Sequence, residues 1–264
     1  MISLLYHDVV SPGDFASSGF PGGDADIYKL ELAEFELHLQ KIADATSERT
    51  VGVVVDGSGK LDPNAVLFTF DDGGASAVRI ASLLEKHGWH GHFFVTTNYI
   101  NKPGFLSDGQ IRELHLRGHV IGSHSCSHPD RMSHCTTEQL ESEWRQSAQI
   151  LSAITGEKTH LASVPGGYYS ARVAAAATAT GISVLFNSQP TAKIDRAGGC
   201  LVLGRYSIQQ GISAETAARI ASGKWSPRFR QFLYWNSKTV AKRLGGAHYV
   251  TLRKFLLRKG PSTS

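Results

Sequence analysis

Cysteine is scarce in this chain. Its three cysteines among 264 residues are an odd and small number, a poor disulfide framework, so the fold must rest on a core and the usage fits a reducing compartment. Long hydrophobic runs are missing too: no stretch is apolar over the roughly 20 residues that a membrane-spanning helix needs. Internal repeats and low-complexity tracts are also absent, which sets repeat architectures aside. Neither sign of charge dominates. With 27 Lys and Arg against 23 Asp and Glu, the net charge is only +4, and without a recognisable nucleic-acid module that balance argues against nucleic acid as a partner. Met1 leads within a few residues into Leu4-Leu5-Tyr6, which reads as a first core strand and leaves no room for a signal sequence. The expectation is a cytoplasmic protein.

What is present suits one sizeable core. A chain of this length at 41% hydrophobic residues forms a single α/β unit in the manner of α/β barrels. Residues 65–70 are apolar and β-favouring and read as a buried strand that the following glycines end in a turn. Residues 75–87 read as a helix, as do residues 137–155, where Leu140, Trp144, Ala148, Leu151 and Ile154 make one apolar stripe. Thr136 with Gln139 forms its expected capping box. No linker interrupts residues 1–210, which are taken as the barrel; residues 211–264 are taken as a helical extension, basic and rich in aromatics.

Chemistry concentrates in two short segments, Phe68-Thr69-Phe70-Asp71-Asp72-Gly73 and His124-Ser125-Cys126-Ser127-His128-Pro129. A carboxylate and two imidazoles suffice for a divalent metal that keeps positions open for water and substrate. The second carboxylate is then free to take a proton from the attacking water. Two histidines four apart reach one side of a helical or tightly turned backbone. Each segment alone has an ordinary explanation, a polar loop with two surface histidines or an Asp-Asp-Gly turn. Iron(II) oxygenases share such a triad, but usually as His-x-Asp then His, with no task for a second aspartate.

Together, a strand ending in Thr-Phe-Asp-Asp-Gly and a later His-Ser-x-x-His-Pro resemble the first two motifs of the polysaccharide deacetylases, the NodB homology domain of carbohydrate esterase family 4. Leu4 to Val9 resembles the opening strand of many members, His92 to Val95 their second strand after the aspartates, and Ser163 to Tyr169 sits where the third motif belongs. The resemblance implies a distorted (β/α) barrel and a metal-dependent hydrolase that removes an N-acetyl or other small N-acyl group from a sugar. It implies Asp71 as base and Asp72, His124 and His128 as ligands of one divalent ion, zinc first, with cobalt, manganese, nickel or iron as alternatives. It also implies the Gly166 N–H as oxyanion donor.

The chain departs from the family in two places. The third motif usually reads Arg-x-Pro-Tyr or Tyr-Pro-Tyr-Gly; here Ser163 holds the arginine position and Gly166 the aromatic one, so the side-chain partner of the base is missing. The late Leu-x-His motif, which supplies the acid, is not recognisable. Arg205 at the nearest strand end could replace the missing positive charge or simply lie at the surface. His7, His160 and His248 are candidate acids, and Tyr168 a further residue for substrate or acid. Cys126 is a candidate fourth ligand or a plain buried thiol.

Residues 224–259 interleave basic residues with aromatics such as Trp225, Phe229, Phe232, Tyr249 and Phe255. Such a segment can lie on an anionic membrane or pack its aromatics on the barrel. A cytoplasmic enzyme of this kind would meet a glycan precursor, a nucleotide sugar or a lipid-linked saccharide of lipopolysaccharide type. A protein with the same fold that binds sugar or scaffolds, with impaired chemistry, is the alternative. Residues 11–26, rich in glycine, are expected to loop over the barrel mouth.

Overall fold

The computed structural model describes residues 1–55 and 61–236. His248 and the basic and aromatic residues from Lys238 onward lie outside the described residues. Among the described residues the chain runs β1 (Ile2–Tyr6), β2 (Val9–Val10), α1 (Gly23–Asp26), β3 (Leu30–Glu31), α2 (Leu32–Ala45), β4 (Val66–Phe70), α3 (Ala77–Glu85) and β5 (His92–Val95). It continues through α4 (Asp108–Leu116), β6 (Val120–Ser123), α5 (Thr137–Thr155), β7 (Leu161–Ser163), α6 (Ala171–Ala179), β8 (Val184–Phe186), β9 (Ile194–Ala197), β10 (Cys200–Leu203), β11 (Tyr206–Ser207) and α7 (Ala214–Ala221). Residues 225–236 are helical as well.

Nine strands form one sheet in the order β11-β1-β4-β5-β6-β7-β8-β10-β9, parallel throughout except for the antiparallel edge strand β9. The sheet curls into a half-barrel. Three strand spacings separate β5 from β8, about 14 Å in a flat sheet, yet the rings of Phe94 and Phe186 on those strands lie 5.2 Å apart. Gly122 on the intervening β6 makes the approach possible, because a Cβ there would stand 2.5 Å from the Phe94 ring.

Side chains alternate across this sheet, as the pleat requires. Leu67, Phe94, Leu161, Phe186, Leu201 and Leu203 fill the concave side. Ile2, Leu4, Tyr6, Val66, Phe68, Phe70 and Phe93 face the convex side, where helices cover them. The two-residue step on the concave side then leads from each strand into the barrel mouth: Thr69 to Asp71, Gly122 to His124, Leu161 to Ser163, Leu203 to Arg205, and on β1 Leu5 to His7. All lie at C-terminal strand ends, where parallel α/β sheets gather their chemistry.

The helix expected over residues 137–155 is present as α5, with Leu140, Trp144, Ala148 and Leu151 buried and the Thr136–Gln139 capping box formed. Ile154 packs half-buried against the largest apolar cluster. Near the end of the sheet, α7 buries Ala217, Ala218, Ile220 and Ala221 in the same cluster as Phe35, Leu39 and Ile42 of α2. The core therefore continues past residue 210 to α7, and exposed aromatics begin only at Trp225.

Candidate active site

Asp71 follows β4 and meets a cation already in place. Arg205 donates from Nη1 to its Oδ1 at 2.7 Å and from Nη2 to its Oδ2 at 2.8 Å, while the Ser163 hydroxyl donates to Oδ2 at 3.0 Å. Arg205 is 0% exposed, so its alternative as a surface arginine is corrected by the structure. Its remaining donors reach the Asn187 carbonyl at 3.0 Å, the Ser163 hydroxyl at 2.7 Å and Thr69 Oγ1 at 3.3 Å. Phe94 and Phe186 flank the guanidinium at 5.8 and 5.9 Å from their centroids. A buried ion pair persists only when bidentate geometry and further hydrogen bonds offset desolvation, and this one has both. Burial would raise the Asp71 pKa; the Arg205 charge, helped by His124, more than reverses it and holds the carboxyl below its usual range.

Asp72, the next residue, faces imidazoles instead. Its Oδ1 lies 3.4 Å from His124 Nε2 and 3.6 Å from His128 Nε2. All three ligand atoms fall within 4.8 Å of one another. Atoms bonded to one ion at about 2.0–2.1 Å are themselves roughly 3–3.4 Å apart, so the donor set fits a single divalent ion with little movement. His124 is already oriented for that role: its Nδ1–H donates to the Ser163 carbonyl at 3.0 Å, which directs Nε2 at Asp72, so the cationic ring donates to that carboxylate and the neutral ring would offer an ion its lone pair. Burial opposes the charge on Asp72, but the His124 hydrogen bond and the histidine charges around it depress its pKa strongly.

The backbone around these ligands is unusual. Asp72, Ser125 and His128 adopt positive φ of 76°, 64° and 57°, a region costly for side-chain-bearing residues and met most often by short polar ones. The histidine pair therefore sits on a tight turn rather than a helix. Glu143 of α5 holds that turn, accepting from the Cys126 and Ser127 amides at 2.8 Å each and from the Ser127 hydroxyl at 2.6 Å. Sequence patterning missed Glu143, since nothing in a helix marks which exposed acid caps a distant turn. Cys126 itself is buried, takes a hydrogen bond from Thr97 at 3.4 Å and lies outside the ligand group.

His7 completes the mouth on the β1 side. Its ring packs on Tyr28 at 4.7 Å, and its Nδ1 is buried without a hydrogen-bond partner among the described residues. Phe20, in the loop after β2, reaches the His128 ring at 4.9 Å and packs edge-on against Tyr99 and Phe105. Opposite, Gly166 is exposed with φ +59°, and Tyr168 carries Arg131 over its ring at 6.0 Å. His160 is not part of this mouth. It precedes β7, where it lines a cleft with His115 and His119 at the other end of the sheet, so it is withdrawn as a candidate acid.

Known proteins agree with this architecture. Residues 58–185 match the family model for polysaccharide deacetylase. YxkH of Bacillus subtilis (strain 168), provisionally named a polysaccharide deacetylase, is 26% identical over 215 residues, which cover 80% of this chain and 72% of that protein. The peptidoglycan-N-acetylmuramic acid deacetylase PdaA of the same organism is 30% identical over 105 residues, 39% of this chain and 38% of PdaA. The structure of the Streptococcus pyogenes deacetylase PplD in complex with acetate superimposes with a TM-score of 0.65 at 21% identity, covering 81% of this chain and 95% of PplD. The polysaccharide deacetylase BC0361 of Bacillus cereus gives 0.69 at 18% identity, covering 83% and 68%. These two likenesses show the fold. Residues 58–185, a little under half of the chain, match the polysaccharide deacetylase model, and solved deacetylases share the fold over most of its length, so the chain is similar to that family.

Proposed function

We propose that the chain is a hydrolase that removes a small N-acyl group, acetyl first, from a sugar, with a divalent ion held by Asp72, His124 and His128. The observation that carries this reading is the division of labour between adjacent aspartates, one neutralised by Arg205 and one facing two imidazoles. A bound ion of this kind, zinc first, polarises the acyl carbonyl and acidifies water, worth several kcal/mol.

The chain's own residues do the rest. Asp71 Oδ2 is taken up by Arg205 and Ser163, whereas Oδ1 accepts only from Arg205. A carboxylate oxygen carries two lone pairs, so Oδ1 is the atom that accepts the proton of the attacking water. Arg205 thus supplies from the end of β10 the charge that the family's third motif usually supplies from the position of Ser163. The Gly166 N–H would meet the oxyanion, a contact of the kind that contributes about 3–4 kcal/mol. His7, with an unpartnered buried nitrogen, would protonate the leaving amine. Phe20 and Tyr168 flank the opening where a sugar ring would lie.

The narrower substrate, a sugar of a glycan precursor that is nucleotide- or lipid-linked, belongs to the same proposal. A lipid-linked substrate would suit the basic, aromatic C-terminal segment. A sugar-binding protein without chemistry is less well supported, because a binding pocket has no need of a buried arginine that keeps a non-ligand carboxylate ionised.

Metal analysis together with amine release from N-acetylglucosamine oligomers tests the reading. One ion per chain is expected, lost in Asp72→Ala, His124→Ala and His128→Ala. Asp71→Asn should keep the ion and lose roughly a hundred- to ten-thousand-fold in rate. A folded protein that binds no ion after reconstitution with zinc, cobalt, manganese or nickel would overturn it.

A further inference from the structure

Residues 225–236 invert the usual arrangement of a surface helix. Trp225 is 67% exposed, Leu233 51%, and Phe229 and Phe232 37% and 39%. Spacing at 225, 229, 232 and 233 places them on one face. The rings stack along it, Trp225 on Phe229 at 4.4 Å and Phe229 beside Phe232 at 6.5 Å. Polar side chains fasten the opposite side to the sheet edge: Arg228 donates to the Tyr206 hydroxyl at 2.8 Å and Gln231 to the Ser207 carbonyl at 2.8 Å. In α5 the apolar stripe turns inward; here it turns out. A contiguous exposed apolar patch on a protein with a complete core marks a contact surface.

Charge identifies the partner. The last acidic residue of the whole chain is Glu215, and residues 216–264 hold eleven Lys and Arg and no Asp or Glu. The remainder of the protein is therefore net acidic, and the positive charge of the sequence is concentrated in the stretch that contains the aromatic helix. Aliphatic residues run through the same stretch, among them Leu244, Val250, Leu252, Leu256 and Leu257. Nucleic acid would match the cations and could stack on rings, but it offers nothing to aliphatic side chains. An anionic bilayer surface takes all three: headgroups meet Lys and Arg, indole and phenyl rings sit at the interface, and aliphatic groups enter the acyl boundary. No helix among the described residues is long and apolar enough to cross a membrane, so the fit is to a surface.

We propose that the exposed aromatic face of residues 225–236, set in an acid-free, cationic stretch of the sequence, docks the protein on an anionic lipid surface. None of these residues belongs to the proposed active site, so the docking can fail while deacetylation stands, and the reverse.

Co-sedimentation of the full chain with vesicles decides it. Vesicles of phosphatidylcholine containing about one-third phosphatidylglycerol should bind the protein at least roughly tenfold better than phosphatidylcholine alone, and raised salt should release it. Phe229→Ser with Phe232→Ser should weaken binding several-fold with the thermal midpoint and amine release unchanged. Lys238→Glu with Lys242→Glu and Arg243→Glu should do the same by charge. Equal binding to neutral and anionic vesicles, or none, would overturn the proposal. So would retention by a single-stranded oligonucleotide that displaces the vesicles, or a dimer that shields Trp225 and ignores lipid.

Discussion

Asp71 and Asp72 are neighbours in the chain and opposites in their surroundings. Asp71 meets a permanent cation of the protein through two charged hydrogen bonds and a serine hydroxyl. Asp72 meets two neutral-capable imidazoles whose nitrogens crowd one point. Both carboxyls are held below their usual range, but only the second shares its site with two imidazoles in a group that could hold an ion. The difference teaches how one strand end can set one carboxylate against a built-in cation and the next against a pair of imidazoles: the alternation of the strand sends the two side chains to different partners.

Removing the fixed cation should break the comparison most severely. Arg205→Met leaves Asp71 buried without a counter-charge, which costs about 3–5 kcal/mol in buried pairs and should appear as a lower denaturant midpoint. With burial no longer opposed, the Asp71 pKa rises and the acid limb of the rate profile moves to higher pH. The double variant Arg205→Met with Asp71→Asn should recover most of the stability and none of the activity. If Arg205→Met alone kept both, the pair would be incidental.

Metal linkage sharpens the other half. Zinc at about a thousandfold over its dissociation constant should stabilise the apoprotein by roughly 4 kcal/mol, read as a raised thermal midpoint that a chelator reverses. Asp72→Asn should lose that shift and Asp71→Asn should keep it. A shift that follows Asp71 instead would exchange the two roles.

The smallest effect concerns interior histidines that lack an acid partner. Burial lowers His38 and His92 to about 4, whereas the neighbouring carboxylates raise His124 against the same burial. His92 is fixed neutral, with Nε2 accepting from the Val54 amide at 2.9 Å and Nδ1 donating to the Phe68 carbonyl at 3.0 Å. Since the unfolded chain protonates these rings near pH 6.5, their stability contribution is full above that pH and falls between about 6.5 and 4. By pH 5 each should have lost about 2 kcal/mol, measurable by urea unfolding, and His92→Gln should flatten the slope.

Local pattern carried much of this molecule. β4 and β5, the α5 stripe and its capping box were legible because period and cap chemistry are short-range properties. The gathering of Asp72, His124 and His128 was legible because two strand ends each kept a dense motif. Arg205 was legible only as one of two readings, a stand-in for the missing charge or a surface residue, since its partner Asp71 lies far away in sequence and only the curl of the sheet brings β10 to face β4. Phe20 reaches His128 over a comparably long separation in sequence, whereas Glu143 holds a turn only 16 and 17 residues before it. His160 misled because a histidine beside a strand gives no sign of which end of the sheet it occupies.

The concave alternation has a consequence for tolerance to insertions. β4 is apolar at nearly every position, so adding one residue within it would hardly change its hydrophobicity, while forcing a bulge or a shift in pairing. The mouth would nevertheless receive a different aspartate, because a slip of one residue exchanges the faces of everything downstream. Each of the five strands that feed the mouth is in this sense a reading frame, silent in hydrophobicity and decisive in chemistry. Length changes in this protein should therefore gather in its loops, and single-residue insertions in β4 should abolish amine release even where the protein still folds.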